Sequence, residues 1–111
     1  MIIRIADIPE IAEEHFWDGD GTIYLKRWTD DAGTKFLLVR VLPGCSIGEH
    51  THSANMEACY ILSGHAKVLY DGAVYPLAPG DVHYCPKGHS HSVFNDGDEE
   101  MTMYCVVAAQ P

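Results

Sequence analysis

Three histidines and one glutamate in this chain have the types and the spacing to hold a metal ion. His50 and His52 are two residues apart, so on a β-strand both imidazoles point to the same face. Glu57 follows five residues after His52, across a turn through Ser53, Ala54 and Asn55. Two neutral imidazoles with one carboxylate make a ligand set of borderline hardness, suited to divalent transition metals. His91 lies on a later segment, and a barrel or a double-sheet β-fold could bring it opposite the first three. The set would then offer three nitrogens and one oxygen. A six-coordinate ion would keep two positions for water or substrate.

Strands have to position these groups, and the sequence reads as short strands cut by turn signals. Thr22–Trp28 is broken by Asp30–Gly33, and the apolar run Phe36–Leu42 ends at Pro43-Gly44. Cys59–Leu62 stops at Ser63-Gly64, Lys67–Tyr70 at Asp71-Gly72, and Val74–Leu77 at Pro79-Gly80. Val82–Cys85 meets Pro86-Lys87-Gly88, Ser90–Phe94 meets Asn95-Asp96-Gly97, and Met101–Ala108 is the last strand. A turn roughly every ten residues predicts an all-β sandwich or barrel. Only the first fifteen or so residues hint at helix. There Asp7 could cap one or two turns, with Pro9 in the first turn and Glu13 and Glu14 following. No linker, repeat or low-complexity run divides the chain, so a single domain is expected over residues 1–111.

Composition narrows the function classes. In 111 residues, 16 acidic side chains against seven Lys plus Arg give a net charge of −9. That balance argues against nucleic acid and against anionic membranes, since both recruit basic patches. No apolar run is long enough to span a membrane. The opening MIIRIADIPEIAEEH is too acidic and too short in its apolar part for a secretory signal, so a cytoplasmic location is expected. The four cysteines, Cys45, Cys59, Cys85 and Cys105, form no CxxC pair and lie in or beside apolar stretches. They read as reduced thiols acting as small hydrophobes. Asp18-Gly19-Asp20-Gly21 fails as a calcium loop, because Ile23 and Thr29 stand where the glycine and the glutamate are required. It reads as a turn, and the acidic run Asp96–Glu100 reads as a solvated loop.

Two windows carry a family resemblance. The first runs Gly44, five residues, His50-Thr51-His52, four residues, Glu57, six residues, Gly64. The second runs Gly80, five residues, Pro86-Lys87-Gly88, two residues, His91, three residues, Asn95. Together, residues 44–64 and 80–95 resemble the two signature motifs of the cupin superfamily, complete at the defining positions and with the short spacer of small single-domain members. The resemblance implies an all-β jelly-roll barrel, the double-stranded β-helix, with a metal near its mouth. It gives the ligand role to His50, His52, Glu57 and His91, and turn roles to Gly44, Gly64, Gly80, Pro86 and Gly88. It implies one divalent transition metal (Fe, Mn, Ni or Zn) and no particular reaction. Cupins include dioxygenases, isomerases, decarboxylases, lyases, sugar-binding regulators and storage proteins, so function has to come from the pocket.

Strand phase nominates the rest of that pocket. Cys59 and Ile61 share the face of Glu57, and Val93 and Asn95 share the face of His91. His89 is two residues before His91 and could contact substrate, and Tyr84 is near in sequence. Arg40, inside an apolar run, could anchor a substrate carboxylate if it faced inward, but the favoured reading has it facing solvent or paired with an acid. His15, His65 and His83 read as solvated residues outside the site. The phase of Met101–Ala108 stays open. A divalent ion with one carboxylate has formal charge +1 and favours an oxyanion or enolate ligand. The expected function is thus a metalloenzyme acting on a small oxygenated metabolite, with Fe(II)-dependent oxygenation, an oxidoreductase activity, ahead of isomerisation or decarboxylation. The alternative is a non-catalytic module that binds or senses a small ligand. Exposed strand edges favour a homodimer, with Ile2, Ile3, Ile5, Phe16 and Trp17 as the packing segment.

Overall fold

The computed structural model describes residues 1–111. Ten strands form two antiparallel sheets, joined by the Gly- and Pro-containing turns that the sequence marks. They are β1 (Ile11–Glu14), β2 (Thr22–Thr29), β3 (Lys35–Val41), β4 (His50–Thr51) and β5 (Asn55–Ser63), then β6 (Ala66–Tyr70), β7 (Ala73–Leu77), β8 (Val82–Cys85), β9 (Ser90–Phe94) and β10 (Met101–Ala109). One sheet has the order β1-β2-β3-β10-β5-β8 and the other β4-β9-β6-β7. No helix is long and apolar enough to cross a membrane.

The core lies between the sheets and follows the two-residue period of each strand. Ile23 and Leu25 on β2, Val39 and Val41 on β3, and Ile61 on β5 are buried from one side. Val68 on β6 and Val93 on β9 close on them from the other. The open phase of β10 resolves the same way. Met101, Met103, Cys105 and Val107 are buried, while Thr102, Tyr104 and Val106 face outward. The turn after β5 needs its glycine: Gly64 has φ +75°, and a Cβ there would lie 2.2 Å from the Glu100 carbonyl oxygen. Asn95 closes the end of β9 by donating from Nδ2 to the carbonyls of Val41 (2.9 Å) and Glu99 (2.7 Å). All four cysteines are free thiols.

The short N-terminal helical turn is present, and the correction is to its position. A 3-10 turn forms, but over Ile5–Asp7, and Ile11–Glu14 is strand β1. Pro9 ends the turn rather than starting it. The residue before a proline is pushed out of the helical region, and Ile8 is extended at φ −78°, ψ 131°. The chain then pairs along β2, from Ile11 opposite Leu25 to Glu14 opposite Thr22, and covers an edge that would otherwise be open.

Candidate metal centre

Both sheets contribute to one cluster. β4 pairs with β9 so that His50 lies directly opposite His91, which puts both rings on one face. Glu57 comes from β5 of the other sheet. His52 follows β4, and its backbone is tied to the β8–β9 turn. Its N–H donates to the His89 carbonyl (3.1 Å), and its carbonyl accepts from Gly88 N–H (2.6 Å).

The four side chains converge on one point. His91 Nε2 lies 3.1 Å from His50 Nε2, 2.9 Å from His52 Nε2 and 3.0 Å from Glu57 Oε1. Glu57 Oε1 is 3.4 Å from His52 Nε2, and all four candidate ligand atoms lie within 4.8 Å of one another. The outer nitrogens explain why the inner ones are available. His50 Nδ1 donates to the Gly48 carbonyl at 2.8 Å, and His52 Nδ1 donates to Asn55 Oδ1 at 2.6 Å. His91 Nδ1 faces His83 Nε2 at 2.9 Å. A carbonyl can only accept, so the proton sits on Nδ1 and the Nε2 lone pair is left for a cation. Two imidazoles held in this tautomer, with His91 partnered by His83 and a carboxylate beside them, have the donor set and the outer hydrogen bonds of a divalent-metal site, and the cluster could hold one ion.

The electrostatics fit a buried acceptor set. Burial pushes the Glu57 carboxyl up, but its contacts with the His52 and His91 imidazoles, which favour the carboxylate when those rings are protonated, overcome this and hold it down at about 2. His52 is raised by its bond to Glu57, against burial and the charge of Lys35. Burial lowers His50. It also lowers His83, to about 4, so that ring is neutral at ordinary pH.

A cavity of about 320 Å³ opens onto the cluster. Phe16, Trp17, Leu37, Ile47 and Val107 form apolar walls, and Arg27 and Lys35 are its cationic lining. Trp17 stacks on His50 with centroids 4.7 Å apart and planes 11° from parallel. The segment carrying it is strained, with His15, Trp17 and Asp18 at φ 51°, 54° and 60°. It is held down by Gly48, whose N–H donates to the Phe16 carbonyl (2.9 Å) and whose missing Cβ would sit 1.8 Å from the Trp17 carbonyl oxygen. Phe16 and Trp17, read from sequence as a packing segment for a partner, thus wall the cavity.

The other nominated pocket residues lie elsewhere. Cys59, Ile61 and Val93 do face inward, but in the closed core beneath the cavity. Cys59 is 1% exposed and lies opposite Cys105, and its thiol is pushed up by a hydrogen bond with Cys105 and by burial. It is a small core residue and not a thiolate ligand. Arg40 points outward, because β3 turns Val39 and Val41 inward. It binds both oxygens of Glu10 (2.7 and 2.8 Å), pairs with Glu100 and lies over the Tyr24 ring. Tyr84 also points outward and accepts from Gln110 Nε2 at 3.0 Å. His89 stacks on Tyr70 and pairs with Asp71, so its ring stays out of the cavity.

The residues missed from sequence are Asn55, Trp17, Arg27, Lys35 and above all His83. His83 is 8% exposed rather than solvated. Its signal was its pairing: Cys59 lies opposite His83 and Glu57 opposite Cys85, so His83 shares the inward face of Glu57.

Comparison with known proteins agrees with this geometry. The family described as "Cupin domain" matches residues 37–107. The chain is 27% identical over 112 residues to a Thermotoga maritima protein named "Oxalate-binding protein", covering 96% of this chain and 93% of that one. A solved structure described as a predicted oxalate decarboxylase from the same organism superposes with a TM-score of 0.91 at 25% identity, covering 99% and 100% of the two chains. A Cupin 2 conserved barrel domain protein from Salinispora arenicola superposes with a TM-score of 0.71 at 30% identity, covering 97% and 86%.

Proposed function

The chain belongs to the Cupin domain family, and on that footing we propose that it binds one divalent transition metal and presents it to a small carboxylate-bearing metabolite. His50, His52, Glu57 and His91 hold the metal. The observation that carries this reading is the convergence of three Nε2 atoms and Glu57 Oε1 at the floor of an open cavity, with every outer nitrogen occupied. When bound, the metal supplies Lewis acidity and orients a substrate oxygen. The protein's own part is to fix the tautomers of His50 and His52 through Gly48 and Asn55, to give His91 a buried partner in His83, and to exclude water with Phe16, Trp17, Leu37 and Ile47.

As an enzyme it is a metalloenzyme of small oxygenated acids. The similarity to a protein described as a predicted oxalate decarboxylase favours carbon–carbon cleavage of a carboxylate, and raises it beside the oxygenation expected from sequence. A second reading, a non-catalytic binding module, is favoured by the similarity to a protein named for binding oxalate. One series of assays separates them. Protein purified without an affinity tag is analysed for metal, then loaded anaerobically with Fe(II), Mn(II), Ni(II) or Zn(II). Metal at a hundred times its dissociation constant adds about 2.7 kcal/mol, a melting shift on the order of 10 °C that a chelator reverses. Oxygen uptake or carbon dioxide release with oxalate and related acids identifies an enzyme. Saturable binding without turnover identifies the module. Failure of all four ions to bind overturns both.

A further inference from the structure

The cavity carries two positive charges that the metal cluster does not use. On the inward face of the large sheet, register lines up residues in rows across the strands. Lys35 lies opposite Val107 on β10, and Val107 lies opposite Glu57 on β5. Lys35 and Glu57 therefore stand in one row, two strands or about 10 Å apart. In the next row Arg27 lies opposite Leu37, Leu37 opposite Cys105, and Cys105 opposite Cys59. Arg27 continues the phase of Ile23 and Leu25 where β2 becomes exposed, and it lines the cavity there.

Neither cation is paired within the protein. Arg40 is held by Glu10 and Glu100, Lys67 by Asp96, and Lys26 by the Ala6 carbonyl. Arg27 and Lys35, like Arg4 and Lys87, make no such contact, but of these four only Arg27 and Lys35 line the cavity, in a chain with 16 acidic residues against seven Lys and Arg. Two cations left unpaired in one cavity of a protein of net charge −9 form a local inversion of the field. Lys35 is near enough for its charge to act on His52. With a divalent ion and ionised Glu57, the cavity would have a formal charge of about +3. The metal and its carboxylate alone give about +1, enough for one acidic group.

We infer that Arg27 and Lys35 form a second anchoring point, across the cavity from the metal cluster, for a ligand's remote acidic group. The preferred ligand is a small aliphatic dicarboxylate, with one carboxylate at the metal cluster and the other on the two cations. Apolar walls from Leu37, Ile47 and Val107 suit the carbons between them. The inference rests on the metal-centre reading and deepens it. It goes beyond oxalate, whose two carboxylates are directly joined and fit the metal end alone.

The test compares each diacid with its monoamide, which keeps the shape and removes one charge. Mn(II)-loaded protein is titrated calorimetrically with succinate against succinamate and with glutarate against glutaramate. At least one diacid binds more tightly than its monoamide by roughly ten- to a hundredfold, the range for a charge-assisted contact, and added salt shrinks the preference. R27Q/K35Q brings the ratio near one, while its Mn(II) stoichiometry stays that of the parent. R27K/K35R, which keeps both charges, retains most of the preference. If the protein takes up Mn(II) and binds diacid and monoamide equally, or if R27Q/K35Q keeps the full ratio, the second anchor is wrong and the metal centre stands. If no Mn(II) or other divalent ion binds, the metal-centre reading falls and takes the anchor with it.

Discussion

Replacing His83 tests whether the outer hydrogen bonds set the competence of the metal cluster. His83 does not line the cavity at the cluster but a separate one walled by Tyr70, Leu77 and Tyr84, and its contact with the cluster is His83 Nε2 to His91 Nδ1 at 2.9 Å. His91 is itself only 2% exposed, so no water replaces a lost partner. With His91 ligating through Nε2 its proton is on Nδ1, and His83→Phe leaves that proton buried and unsatisfied, at a cost of about 1–3 kcal/mol. The ring can relieve this by moving the proton to Nε2 or by rotating, and both routes remove the lone pair aimed at the cluster. The same energy, read at about 1.4 kcal/mol per tenfold, predicts a fall in metal affinity of roughly five- to a hundredfold. His83→Gln offers an amide oxygen near the position of Nε2 and recovers most of the loss. The assay is competition for Zn(II) against a chromogenic chelator, with melting of the metal-free proteins as the control for folding. A folded H83F protein that binds Zn(II) within about twofold of the parent would refute the argument.

Three further outcomes follow from the same geometry. His52 is raised above the ordinary imidazole value of 6.5, chiefly by its bond to Glu57, so metal has to displace a proton from it in mildly acidic solution. Metal affinity measured between about pH 8 and about pH 6 therefore falls as pH is lowered, approaching tenfold per unit, and a flat profile contradicts this. Trp17 stacks on His50 at 4.7 Å whereas Trp28 packs on Phe36 at 5.9 Å, so metal binding changes intrinsic fluorescence in W28F and leaves W17F silent. Arg40→Ala breaks an exposed network, lowers stability by about 1 kcal/mol or less, and shifts melting by only a few degrees without altering metal uptake.

The four clustered residues were legible because their spacing is local to strands and turns. His50 and His52 are two apart, Glu57 is the third residue of the strand Asn55–Ser63, and His91 lies just past the Pro86-Lys87-Gly88 turn. His83 was not, because a four-residue strand of sequence Val-His-Tyr-Cys has no unambiguous phase. A hydrophobic reading turns Val82 and Tyr84 inward. The structure does the reverse and leaves Val82 61% exposed. Only the pairing of β8 with β5, a contact between distant segments, settles which face is which. Arg40 shows the same ambiguity, although the solvent-facing, acid-paired reading of it is the one the structure bears out. Inside an apolar run every residue looks interior, yet β3 alternates, and Arg40 falls on the outward phase beside Glu10 and Glu100. Helix in the N-terminal segment was inferred from capping residues alone, without the rule that Pro9 imposes on Ile8.

The rows of the large sheet show why core and site cannot be separated. Leu25, Val39, Met103 and Ile61 form one inward row that is wholly apolar. The next holds Arg27, Leu37, Cys105, Cys59 and His83, and the one after it holds Thr29, Lys35, Val107, Glu57 and Cys85. Polarity thus rises row by row toward the open end, where water or a ligand can satisfy charges that the interior could not. The same two-residue period that buries Ile61 aims Glu57 at the histidines, two turns of the pleat further along β5. A one-residue slip of β5 would turn Ile61, Cys59 and Glu57 outward together and bring Tyr60 and Ala58 in. Burial of the lower rows therefore fixes the register on which the cluster depends. A polar substitution at Ile61 would loosen the metal centre while touching none of its ligands.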